Sequence, residues 1–464
     1  LDQHWLRLAP ADPDALRFRA VLETRLGKPL DAARHFAQLL GDASGGSYLS
    51  IAMLLGQEAD AAHGLPVMQR LVEDAPQSAD AHYAFAELAL HYQRAALAEQ
   101  QARQVLTIKP RLESAELLLA RALAAQGKYD AALAIIEPRL KAAAGDIPLR
   151  LAYAALLAQA GRDTDASTQF KTVLKQQPAN NQALYSLGLL ELSAGRFKSA
   201  HDYFLRLFNS GQQPGTAAYF LGNTAELQHD YPEALAWYRQ VEDGERWLPA
   251  QIAIVRVLLA SNLPDAARKF VDNVIADNPD VSSQLRVAEA QLFADHGDVK
   301  SARRLLDDAL QSKPDDPDLL YARALLEENM GEISAAERDL QQIIRQSPAN
   351  AEALNALGYT LVEHSARYQE ALGYIQQALD LMPDDPAIMD SMGWVQYRLG
   401  HTKLAVTYLR QAYQRQNDPQ IAAHLVEVLL AAGDKQEAHD LWAAALKQHP
   451  DSTDLKNLRS RVSP

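Results

Sequence analysis

A small residue returns along this chain at a nearly fixed step. Ala32, Gly64, Ala98, Ala132, Ala166, Ala200, Ala234, Ala267, Ala302, Ala336, Ala371, Ala405 and Ala438 follow one another at intervals of 32 to 35 residues. Thirteen returns at one spacing define an internal repeat, and each repeat of this length is one supersecondary unit whose apolar face its neighbours must cover. Four residues after many of these sites stands a larger apolar side chain: Phe36, Ile136, Phe170, Phe204, Tyr238, Ile375, Leu409 and Trp442. Three further on comes Val173, Leu207, Ala378, Ala412 or Ala445, which completes the i, i+4, i+7 stripe of a helix. A second helical pattern precedes each small site, as in Leu184, Leu187, Gly188 or Met389, Met392, Gly393. Gly127, Gly161, Gly195, Gly400 and Gly433 separate the two patterns, and Pro76, Pro110, Pro178, Pro314, Pro383 and Pro450 close units. Each unit therefore reads as a helical hairpin. A mid-helix Gly costs about 1 kcal/mol relative to Ala. Gly393, set beside Trp394, thus points to a place where two helices approach too closely for a side chain.

A chain of 464 residues exceeds what one hydrophobic core supports, and a repeat array resolves that excess. The formal net charge is −14, nearly all of it after residue 232. Such a surface repels a phosphate backbone, so nucleic acid is not an expected partner. With no cysteine there is no disulfide, thiolate metal site or Cys nucleophile. The thirteen His are scattered, and no metalloprotease, nucleophile-elbow or phosphate-loop motif occurs. His424 and Glu427, three apart on a helix, read as a solvated pair rather than metal ligands. The acids Asp315/Asp316 and Asp384/Asp385 beside proline read as helix caps. No catalytic residue, metal or cofactor is expected, because the repeats use almost the whole chain.

The unit "LYSLGLLELSAGRFKSAHDYFLRLF" (184–208) resembles the tetratricopeptide repeat, with a Gly or Ala in the first helix, a small residue in the second and a closing Pro. The resemblance extends over essentially the whole chain. It implies an all-α, right-handed superhelical solenoid of about thirteen hairpins over residues 11–450, with a capping helix at 451–464. In this family the inward positions of each first helix lie three residues before, and one, four and five after, its Gly/Ala site. Carried over, these are Tyr83 and Glu87, Tyr185, Tyr219 and Asn223, Asn355 and Tyr359, and Asp390, Trp394, Tyr397 and Arg398. The resemblance implies that they bind protein on a concave face, where aromatic side chains with polar tips bury much area at little entropy cost. The family's clamp for a carboxylate tail needs Lys and Asn at neighbouring inward positions, which here hold Tyr, Leu, Asp and Trp.

Several stretches fit the period less well. Glu289 and Arg323 stand where the first helices at 285–293 and 319–327 call for apolar residues; a one-residue slip would repair the first and partly the second. "GDASGGS" (41–47) leads into an atypical unit around Gly64. "NSGQQPG" (209–215) and "EDGERWLP" (242–249) lack the usual Pro spacing and are expected to bend the solenoid without dividing it. "HWLRLAP" (4–10) matches the close of a second helix, so residues 1–10 read as the remnant of a preceding hairpin in a longer chain. Leu455, Leu458 and Val462 give the C-terminal cap its apolar side.

Residues 355–400 are similar to the C-terminal repeats of Gram-negative tetratricopeptide proteins, among them outer-membrane lipoproteins of the periplasm. Some of that group are adaptors that bind a carboxyl-terminal processing protease and bring it peptidoglycan hydrolases. The resemblance implies a non-enzymatic adaptor on the periplasmic side of the outer membrane, held there by a lipid anchor outside this sequence. The alternative is a cytoplasmic assembly or chaperone-like factor that binds peptide segments in its groove.

Overall fold

The computed structural model describes residues 12–40 and 46–462. The segment 1–10 and most of "GDASGGS" lie outside the described residues, which are helical throughout with no strand. The chain falls into two compact units, Leu1–Glu242 and Asp243–Pro464. The first holds α1 (Pro13–Arg25), α2 (Pro29–Leu40), α3 (Tyr48–Glu58), α4 (Ala61–Asp74), α5 (Ala79–His91), α6 (Ala95–Ile108), α7 (Glu113–Ala124), α8 (Tyr129–Ala142), α9 (Ile147–Gln159), α10 (Asp163–Gln176), α11 (Asn181–Ser193), α12 (Phe197–Asn209), α13 (Pro214–Leu227) and α14 (Tyr231–Tyr238). The second holds α15 (Trp247–Ala260), α16 (Pro264–Asp277), α17 (Ser282–Asp295), α18 (Val299–Ser312), α19 (Pro317–Asn329), α20 (Ile333–Gln346), α21 (Ala351–His364), α22 (Tyr368–Leu381), α23 (Pro386–Arg398), α24 (Thr402–Arg415), α25 (Pro419–Ala432) and α26 (Lys435–Gln448). The division falls inside "EDGERWLP", where the period alone pointed to a bend in one solenoid. In place of a single cap, two short helices, α27 (Thr453–Asn457) and α28 (Arg459–Val462), bury Leu455, Leu458 and Val462.

In each unit odd- and even-numbered helices alternate as the two arms of hairpins, and within each unit every second helix except α2 also packs on the next first helix. The small sites are the contact points. A Cβ placed on Gly393 would lie 2.6 Å from Leu409 Cγ and 3.2 Å from the Ala405 carbonyl oxygen. One on Gly188 would lie 2.4 Å from the Phe204 ring. Glycine at these points lets the bulky residue of the second helix lie directly on the first helix's backbone, and the packing offsets the lost helix propensity. Most arms are joined through a left-handed residue. Gly161 takes φ 71°, but Gln93, His229 and Asn262 adopt the same turn at 58–60°, so several connections carry no glycine signal.

The unit around Gly64 departs from the rule. Its arms, α3 and α4, barely touch each other; α3 packs on α5, and α4 on α2. Tyr92 holds them apart: its hydroxyl lies 2.8 Å from the Leu55 carbonyl and 3.0 Å from that of Ala59, and a Cβ on Gly64 would meet that hydroxyl at 2.6 Å. Asp316 and Asp385 do cap α19 and α23. Their neighbours Asp315 and Asp384 instead bond to Gln342 and Arg415 of the following second helices.

Glu289 and Arg323 are not displaced by a slip in register; Glu289 is buried and Arg323 half-buried, each with charged partners. Glu289 is 1% exposed and accepts from Arg286 Nη1 at 2.6 Å, while Arg286 Nη2 reaches Asp272. Burial pushes the Glu289 carboxyl up to about 7, against the pull of Arg286. A group raised on folding contributes stability that is complete below its unfolded pKa of about 4.3 and is lost as pH climbs to its folded value. The second unit should therefore lose up to about 3 kcal/mol between pH 4.5 and 7 through this one carboxyl. Urea unfolding of native protein and Glu289→Gln across that range checks it: referenced to the acid end, the native curve should fall below that of Glu289→Gln as pH reaches neutrality, and parallel curves would exclude the effect.

Candidate protein-binding surface

The inward positions of the first helices behave differently in the two units. In the first, Leu49, Ala52, Met53, Gly56 and Gln57 of α3 and Tyr83, Glu87, Leu88 and His91 of α5 line a cavity of ≈ 410 Å³. Its floor is apolar and open, with Met53 61% and Leu49 41% exposed. Tyr83 is half-buried, and burial followed by the charge of Glu87 raises its phenol. Arg121 of α7 holds Glu87 at 2.8 Å, and His91 Nε2 donates to the Gly56 carbonyl at 2.9 Å. Further along, Tyr185 sets its edge on Phe220 at 5.4 Å, and Phe220 stacks on Phe204 at 5.1 Å. Tyr219 leans on Tyr238 at 5.7 Å, and Asn223 is half-buried beside it on α13. These two tyrosines belong to an aromatic ladder that runs from the inner face into the core.

In the second unit the residues picked from the sequence come together, but they face one another. Trp394, expected to point free along the inner face, is only 7% exposed. Its ring stacks on His424 of α25 at 4.3 Å and 16°, its Nε1 donates to Glu363 of α21, and Tyr397 lies 5.3 Å away. Asp390, 5% exposed, faces His424 Nδ1 at 2.9 Å. Arg398 donates to the Tyr368 hydroxyl at 2.5 Å, sits over that ring at 4.8 Å and reaches Glu363 at 3.8 Å. Tyr359 accepts from Gln420 Nε2 at 2.9 Å, and burial with Glu363 and Asp390 nearby raises its phenol well above the usual range. Asn355 is half-buried, with its Oδ1 sealed and without a hydrogen-bond partner among the described residues. Here the inner wall is closed by its own side chains, while the cavity under Tyr83 stays open.

His424 was not singled out as part of this cluster. It is not solvated and does not share a site with Glu427; Glu427 pairs with Arg461 of α28 at 3.2 Å. The signal was the period itself. His424 and Asp390 are 34 residues apart, as are Arg121 and Glu87, and Trp394 and Glu363 are 31 apart. Polar partners across neighbouring hairpins recur at about one repeat length. Among the described residues no group of three or more His, Cys, Asp or Glu could hold a metal, and no helix is long and apolar enough to cross a membrane.

Family models described as tetratricopeptide repeat match residues 282–450 and, with a second model, 151–214 and 194–245. A TPR repeat-containing protein of Pseudomonas aeruginosa is 43% identical over 212 residues, 46% of this chain and 36% of that protein. Cellulose synthase operon protein C of Pseudomonas fluorescens is 24% identical over 303 residues, covering 53% of this chain and 24% of that one. The chain thus spans about a third and a quarter of the length of these relatives. Among solved structures, a thermophilic TPR protein of Thermus thermophilus is 25% identical and aligns over 39% of this chain and 98% of its own, at a TM-score of 0.36.

Proposed function

Because the chain is a tetratricopeptide-repeat protein, a family whose members act as protein-interaction scaffolds, we propose that it is a non-enzymatic adaptor that grips other proteins along the inner face of its first helices. The observation that carries this reading is the open cavity between α3 and α5, whose exposed apolar floor of Leu49 and Met53 lies under Tyr83. Exposed apolar surface bounded by polar groups marks protein interaction sites. The partners we propose are a carboxyl-terminal processing protease and peptidoglycan hydrolases, held together so that substrate meets protease at high effective concentration. The resemblance of residues 355–400 to the C-terminal repeats of Gram-negative tetratricopeptide proteins, a group that includes such adaptors, supports this. It also supports a place on the periplasmic side of the outer membrane through a lipid anchor outside this sequence.

The test is a purified system of this chain, such a protease and a peptidoglycan hydrolase. The expected result is a stable complex with the protease and faster hydrolase degradation when the chain is present. Absence of both would overturn the adaptor reading. Met53→Asp places a charge on a side chain that is already exposed, so the fold should survive. It should weaken partner binding about tenfold or more, the loss typical of a central contact residue, as titration calorimetry would read. Unchanged affinity would move the binding surface elsewhere.

A further inference from the structure

His424 occupies an unusual place for a histidine. It lies on α25, largely covered by α23 and α21 with its side chain 12% exposed, its ring nearly parallel to the Trp394 indole at 4.3 Å and its Nδ1 2.9–3.0 Å from both carboxylate oxygens of Asp390. Tyr359 of α21 borders the same ring at 6.3 Å and is itself tied to α25 through Gln420. The first helices of three successive hairpins thus meet on one imidazole.

We propose that His424, Asp390 and Trp394 form a proton-operated latch that locks α21, α23 and α25 together while the imidazole is charged and lets them separate more readily once it is neutral. The geometry supplies both halves of the lock. A charged imidazole pairs with a buried carboxylate, and it lies flat on an aromatic face that attracts cations. A neutral imidazole can keep one N–H on Asp390, but it loses the charge in both contacts. The surrounding charges make Asp390 the group most dependent on it. Glu363 on α21 also has Arg398 and the Trp394 N–H, and Glu427 on α25 has Arg461. Asp390 is 5% exposed and paired with His424. The buried residues of α24 and α26, which also pack on α25, are apolar: Val406, Leu409, Ala412, Ala438 and Ala445; α27 adds Leu455. Burial alone would favour the neutral ring, yet the carboxylates of Asp390, Glu363 and Glu427 outweigh it and raise the His424 pKa above the ordinary histidine value. A raised value places the locked state below about pH 6.5 and its loss at higher pH, as the folded-state proton leaves.

The latch stands apart from the adaptor reading, because no partner enters it. Amide hydrogen exchange of α21, α23 and α25, corrected for the intrinsic effect of pH, is the measurement. With Glu289→Gln in every protein compared, so that the pH dependence of that carboxyl drops out, protein with His424 and Asp390 intact should lose about tenfold or more in protection between pH 6 and pH 9 in these helices and not in α5 or α7. His424→Gln, which cannot carry the charge, should give equal corrected protection at both pH values. Asp390→Asn should also flatten the response while keeping an acceptor for the ring, which covers the case in which His424→Gln does not fold. Equal protection at the two pH values with His424 and Asp390 intact, or the same loss in whichever variants fold, would overturn the proposal.

Discussion

Phe204→Ala is expected to destabilise the first unit by about 3–5 kcal/mol, the usual loss for emptying an aromatic from a closed core. Phe204 is fully buried and stacked on Phe220, and its ring fills the space that Gly188 leaves on α11. The informative experiment is the cycle with Gly188→Ala. Alone, that change gains about 1 kcal/mol of helix propensity. It also drives a methyl into Phe204 at 2.4 Å, an overpacking that costs roughly 1–3 kcal/mol. The net effect in the native background is therefore zero to a moderate loss. With Phe204 already truncated there is nothing left to strike, so the same methyl should stabilise by about 1 kcal/mol. Urea denaturation of the four proteins gives the coupling directly. If Gly188→Ala is equally harmful in both backgrounds, the close approach of the two arms is not what selects glycine there.

This coupling lies in the part of the fold that was legible in the sequence. Ala32 through Ala438 mark the points where the arms touch, and Phe204, Tyr238, Ile375 and Leu409 fill them, because a stack of like units repeats its contacts at one spacing. The inward positions implied by the family resemblance include Tyr359, Asp390, Tyr397 and Arg398, which lie together around Trp394. What it did not reveal is whether a side chain on the inner face is left open or covered. Trp394 and Tyr83 hold neighbouring inward positions of their helices, yet the first lies between Glu363 and His424 and the second borders an open cavity. That difference depends on which residues stand at nearby positions of the adjacent repeats, information held one period away rather than in the local pattern. The unit around Gly64 reads as atypical in the sequence, but the splaying of α3 from α4 does not show there for a similar reason, since the wedge between them is Tyr92, which closes the next unit's first helix.

Arg323 carries the other large expected effect. It stands on α19 with its Nε and Nη2 on the two carboxylate oxygens of Asp339, at 2.7 and 3.0 Å, and its Nη1 on Asp307 at 2.8 Å. The hydrogen bonds to Asp339, more than those to Asp307, raise its pKa beyond the ordinary arginine value. Asp339 is 6% exposed, so removing the guanidinium strands a carboxylate in the interior of α20. Asp307, half exposed, can recover water. Arg323→Met should therefore cost about 3–5 kcal/mol, most of it the penalty of the orphaned Asp339 and not the worth of the pair. One consequence separates this from a simple loss of packing. Adding Asp339→Leu to Arg323→Met should restore most of the stability, since apolar residues of similar volume replace buried ion pairs with little loss. The second unit uses charge where the other hairpins use apolar contact, and the double variant asks whether that charge stabilises the stack at all. Should Arg323→Met/Asp339→Leu prove as unstable as Arg323→Met alone, the ion pair contributes net stability and the charged core is more than a tolerated substitute.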